Sequence, residues 1–249
     1  MTRADCVDIA VSTNGVLTYD EIGGHLRPAG DHGPVRIDLT GLKFIDPAGL
    51  VSLAVIAERA MLQRRPVHFH KPAGGDVANY LTRMRLGEQL AGLDVAHDLP
   101  HVRERRLGHR LVELRRFDGE AGLDTVAAAL VQTYVDDHPE LIQPLYAALD
   151  EMARNVLEHS TRSHGYVALQ RYDNRGDISF AVGDSGTSRP TRRRTSRPAR
   201  RRPGGPPPPG GHVRTLSEHS ARHESAHRTV ARVGAEAVDG PWPQYLSGI

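Results

Sequence analysis

Residues 188–249 set the first limit on what this chain can fold into. Among these 62 residues stand 12 arginines, nine prolines and only seven aliphatic side chains: Val213, Leu216, Val230, Val233, Val238, Leu246 and Ile249. Apolar burial is what offsets the entropy of ordering a chain, and so sparse a set buries little. The run RRPGGPPPPGGHV also bars a helix across 201–213, because proline lacks the amide donor and clashes with the preceding turn. Any core is therefore expected from residues 1–187. That part is mildly acidic, with 20 basic and 26 acidic residues, whereas the tail sets its 12 arginines against four acids.

The first 187 residues alternate strand-like and helix-like patterns. VDIAVS (7–12) and VRIDLT (35–40) alternate apolar and polar residues as half-buried strands do. Pro47 suits the first turn of a helix, with Asp46 as its N-cap. That helix is expected to run through AGLVSLAVIAERAMLQRR, with Leu50, Leu53, Ala54, Ala57 and Met61 on one face. PVHFH (66–70) reads as a further strand and DVANYLTRMRLGEQL as a second helix, so a small α/β sheet with helices against it is expected. His68 and His70 fall on one side of their strand and are read as strand residues rather than zinc ligands. His219, His223 and His227 are discounted for the same chemistry.

Residues 87–109 read as a junction. RLVELRRF (110–117) then opens a second unit as a strand, followed by a helix over DTVAAALVQTYVDDH. PLYAALDEMARNVLEHS (144–160) reads as one further helix, and GYVALQRYDN with DISFAVGDSG as a hairpin turning at 174–177. The single cysteine, Cys6, excludes an internal disulfide, and the best apolar run, AGLVSLAVIA, is too short to span a membrane. With no secretory pattern at the start, a cytoplasmic protein is expected.

The helix over 144–160 carries the chemistry. Glu151, Asn155 and His159 stand four residues apart and share one side, beside an apolar stripe of Leu145, Leu149, Met152 and Val156. An asparagine carbonyl is a hard oxygen ligand suited to Mg²⁺, and a carboxylate one turn earlier can orient or deprotonate a nucleophile near a phosphate. Downstream, VGDSGT puts Asp184 at the end of an apolar strand, where its carboxylate can accept the exocyclic amine of adenine. Gly186 allows close backbone approach to such a ligand.

Two resemblances follow from these stretches. VRIDLTGLKFIDPAGLVSLAVIAERA resembles the STAS family of anti-sigma factor antagonists, over about the first hundred residues. In the antagonists the residue after the aspartate is a phosphorylated serine; here it is Pro47, which implies a copy that phosphorylation cannot switch. DEMARNVLEHS followed by VGDSG resembles the GHKL ATPase superfamily of gyrase, heat-shock chaperones and histidine kinases, and within it the anti-sigma factor kinases. That resemblance implies ATP and Mg²⁺ as cofactors, with Asn155 holding the metal, Asp184 reading adenine and Glu151 serving as base. Ser188 stands where the family's motif ends in glycine, and no Gly-x-Gly-Leu-Gly segment follows.

The expected architecture is a small STAS-like α/β domain over 1–100, then an incomplete Bergerat-type α/β sandwich over 110–187, then a disordered or out-of-frame tail over 188–249. Three accounts stay open for that tail: disorder, a basic nucleic-acid arm, or the missing half of the second domain read in a shifted frame. The last is favoured, since Arg, Pro, Gly, Ala, Ser and His are what shifted GC-rich codons yield, and arginine outnumbers lysine 30 to 2 in the whole chain. The expected function is an ATP-binding regulatory protein of bacterial partner switching, a serine-protein-kinase-like enzyme if its site is complete. Its expected partner is a sigma factor or an anti-sigma antagonist. A non-enzymatic interaction scaffold is the competing expectation. Neither a membrane nor nucleic acid is expected as a partner, and pairing of two copies is left open.

Overall fold

A computed structural model of the chain describes residues 7–10, 14–18, 33–101, 111–135, 139–172, 177–186, 215–216 and 228–234. The first sheet is parallel, with strand order β1 (Val7–Ala10), β3 (Val35–Asp38), β5 (Val67–His70) and β6 (Ala96–His97). A short parallel pair, β2 (Val16–Leu17) and β4 (Phe44–Ile45), lies before the first helix. In the second, antiparallel sheet the order is β10 (Thr215–Leu216), β11 (Arg228–Gly234), β9 (Asp177–Gly183), β8 (His164–Tyr172) and β7 (Leu111–Asp118). The mixed α/β character and the β8–β9 pairing match the sequence pattern; the turn expected at 174–177 lies outside the described residues except for Asp177.

Helix α1 (Pro47–Leu62) starts where its cap residues place it. The Asp46 carboxylate accepts from the Gly49 amide at 2.8 Å, and Pro47 occupies the first turn, where its missing N–H removes no helical bond. The expected single apolar face is corrected, for 13 of the 16 residues are buried. A helix apolar all round is a core helix, and α1 packs against β4 and β5 on one side and against β8 and β9 on the other. One buried cluster accordingly joins Val35, Ile37, Val67 and Phe69 of the first sheet to Leu114, Tyr166, Ala168 and Ala181 of the second.

The opposite face of the second sheet is covered by α4 (Gly119–Tyr134) and α5 (Pro139–His159). There Val167, Leu169, Ile178, Phe180 and Val182 meet Leu123, Val126 and Leu130 of α4 and Leu145, Leu149 and Met152 of α5. Alternation along β8 thus sends Tyr166 and Ala168 to one core, and Val167 and Leu169 to the other.

Several boundaries differ from the sequence pattern. The helix expected over 76–90 is two, α2 (Gly75–Arg83) and α3 (Leu86–Gly92), broken at Arg85, whose backbone is left-handed at φ 61°. At that break the Met84 carbonyl accepts from the Leu114 amide of β7, so the kink reaches the strand that ends the sheet among the described residues. Within the stretch read as a junction, 87–109, residues 87–92 belong to α3 and 96–97 form β6. Helix α4 begins at Gly119, five residues before the expected start, and α5 begins at Pro139, so Pro144 lies inside it.

The expectation that 188–249 supplies no strand is corrected. β11 pairs with β9 along its full length, from Arg228 against Gly183 to Gly234 against Asp177. Counting aliphatic residues missed it because the strand is held by backbone pairing to β9 and β10, which that count does not register. Ser188, the proline-rich run and His219, His223 and His227 lie outside the described residues. Among the described residues no helix is long and apolar enough to cross a membrane.

Candidate functional site

Helix α5 lays its apolar stripe, Leu145, Leu149, Met152, Ala153 and Val156, into the second core. Glu151 and Asn155 flank this stripe, half-buried and one turn apart, while Arg154 and Glu158 face solvent. Arg154 Nε donates to Asp150 Oδ2 at 2.9 Å, an exposed pair that solvent screens. The side chain of His159 lies outside the described residues.

The last turn of α5 delivers Ser160, whose amide donates to the Val156 carbonyl at 3.0 Å. Its hydroxyl is fully buried and donates to Asp184 Oδ1 at 2.5 Å. The same oxygen of Ser160 accepts from the Arg162 amide at 3.0 Å, using both capacities of a hydroxyl. Asp184, with no exposed surface, continues the apolar run Phe180, Ala181, Val182 of β9. Its Oδ1 also accepts from the Gly186 amide at 2.7 Å, which fixes the plane of the carboxylate.

Gly186 is required by space. A Cβ there would stand 2.2 Å from Ser160 Oγ and 2.9 Å from both Asp184 Oδ1 and Thr161 Oγ1. Two sequence motifs are therefore joined: the helix of Glu151 and Asn155 ends in a hydrogen bond to Asp184. Asn155 stands five residues before Ser160, about 7 Å along the helix axis. Ser160 was not singled out from sequence, although it had a signal. It occupies the next position of the stripe 145, 149, 152, 156, where a polar residue on a buried face must find a partner.

His68 and His70 sit half-buried on one face of β5 with ring centroids 4.4 Å apart, tilted by 58°. His70 Nδ1 lies 3.8 Å from Asp98 Oδ2. On the same face the Asp38 carboxyl is held below its usual range by hydrogen bonds from Thr40. Among the described residues no group of three histidine, cysteine or acidic side chains is arranged to hold a metal.

Comparison with protein-family models, with curated proteins and with solved structures finds no match for this chain.

Proposed function

We propose that the chain is an ATP-binding regulatory protein of the bacterial partner-switching type, with nucleotide binding weakened in this copy. The observation that supports it is the Ser160–Asp184 hydrogen bond, which brings the Glu151–Asn155 helix to the strand end bearing Asp184. The residues fit the adenine end of such a site. A buried carboxylate held by Ser160 and the Gly186 amide is oriented before any ligand arrives, and a ligand reaches it only when the residues covering it move.

In this reading Asp184 accepts the exocyclic amine of adenine, Asn155 offers its carbonyl to Mg²⁺, and Glu151 takes the proton of the attacking hydroxyl. The nucleotide, when bound, supplies the phosphoryl group, and Mg²⁺ neutralises charge at its phosphates. Binding is weakened because Ser188 replaces a glycine and no Gly-x-Gly-Leu-Gly segment offers helix N-terminal amides to the triphosphate. The partner is a regulatory protein of the sigma factor or antagonist type.

Calorimetric titration with a non-hydrolysable ATP analogue and Mg²⁺ tests the reading. The expected result is saturable binding at about 100 μM or weaker, lost in Asp184→Asn and freed of its Mg²⁺ dependence in Asn155→Ala. Binding indifferent to Asp184→Asn would overturn the site assignment. A complete lack of binding would leave the second reading, an interaction scaffold. That reading is favoured by the start of α1, where Pro47 is buried, lacks a hydroxyl, and is followed by Ser52 as the first hydroxyl of the helix, itself fully buried.

A further inference from the structure

The five residues from Ser160 to His164 connect two buried polar centres, one at the end of β9 and the other between α1 and the β7–β8 pair. At one end Ser160 is bonded to Asp184. In the middle the Ser163 carbonyl accepts from the Gly119 amide at 2.9 Å, at the start of α4. At the other end His164 Nε2 lies 2.7 Å from Oε1 of Glu58, a carboxylate carried by α1 with a side chain only 6% exposed. Arg116 of β7 stands 3.9 Å from the same Glu58 oxygen and donates to Asp118 at 2.9 Å, and Asp118 lies 3.9 Å from His164 Nδ1. The Tyr166 hydroxyl is buried against this group, and burial together with the Glu58 carboxylate pushes its ionisation well above the usual range.

A buried carboxylate that loses its partner is strongly destabilised, so Glu58 holds His164 in place. Likewise the Asp184 carboxylate holds Ser160. Between these two anchors the backbone has only three residues, Thr161, Arg162 and Ser163, and the last is itself held by the Gly119 amide. We propose that Ser160–His164 is a strap that makes α1 and the Asp184 centre open and close as one unit, so that events on the first half of the chain are felt at the candidate nucleotide site. Only the naming of that site rests on the nucleotide reading; the strap is a property of the chain without ligand. Coupling of this kind is reciprocal: loosening either anchor loosens the other.

Hydrogen exchange of the full-length chain, followed amide by amide and without nucleotide, tests it. The informative amides are those of Arg162, which donates to Ser160, and Gly186, which donates to Asp184. In His164→Gln and in Glu58→Gln, both are expected to exchange faster by about tenfold or more, as the loss of a bond to a charged group implies. Amides inside α4, such as those of Val126 and Leu130, should keep their rates. The reciprocal variant, Ser160→Ala, should speed exchange at residues 57–59 of α1. Faster exchange confined to α1 in His164→Gln, or a uniform rise over all helices, would overturn the strap, and so would an unaltered α1 in Ser160→Ala. Should the strap hold while the ATP analogue fails to bind, the nucleotide reading alone falls.

Discussion

The two sheets of this protein are finished differently. The parallel sheet has one face against α1, built from Val35, Ile37, Val67 and Phe69, while Arg36, Asp38, His68 and His70 on the other are only half-buried. The antiparallel sheet is enclosed on both faces, by α1 on one and by α4 with α5 on the other. Parallel sheets usually have both faces covered and antiparallel ones tolerate water on one; here the roles are exchanged. The cause is α1, which has no solvated face and therefore needs a second apolar surface, which the antiparallel sheet provides. The halves on either side of residues 102–110 thus share one buried cluster.

Leu53→Ala in α1 tests that sharing most severely. It removes a fully buried side chain from the shared cluster, and about 2–5 kcal/mol of stability should go with it. Denaturant unfolding followed by circular dichroism and by hydrogen exchange in β5 and β8 should show both sheets lowered together. If β8 kept its stability while β5 lost it, the halves would be independent.

Gly186→Ala strikes first at the Ser160–Asp184 contact of the antiparallel half. Its new methyl must displace Ser160 Oγ or Asp184, at about 1–3 kcal/mol. The same denaturation experiment should register a smaller shift than Leu53→Ala, and a neutral outcome would mean that the Ser160–Asp184 contact has room to move.

The half-buried face of the parallel sheet should be the most tolerant. His68→Ala is expected to change stability by no more than about 0.5 kcal/mol. A larger loss in thermal denaturation would show that this face is covered by something in solution. Asp38 gives the smallest effect, with a sign set by its depressed ionisation. Its contribution is present above the usual aspartate range and fades as pH falls through the folded value, so Asp38→Asn should flatten the acid limb of the stability curve slightly. A steeper acid limb in that variant would contradict the Thr40 hydrogen bonds as the cause.

Much of the local structure was legible beforehand. Asp46 and Pro47 announce the start of α1, alternation announces β1 and β3, a hairpin pattern announces β8 and β9, and the Leu145–Leu149–Met152–Val156 stripe announces the buried face of α5. Of the candidate site, the spacing of Glu151 and Asn155 and the strand-end position of Asp184 were equally plain, because each depends only on helix or strand periodicity. Ser160 was overlooked because its meaning comes from a partner 24 residues away.

By itself, the sequence determined that α1 begins at Asp46 and Pro47, and which residues of α5 share its buried side. Capping, proline geometry and periodicity act within a few residues, so they are written locally. Tertiary structure alone decided what lies on the second side of α1, why the helix expected over 76–90 breaks at Arg85 beside β7, and that a strand from an arginine-rich tail completes the edge of β9. Those outcomes depend on surfaces and backbone edges contributed from distant parts of the chain. A buried face or an open edge states that a partner is needed, and only the fold says which one comes.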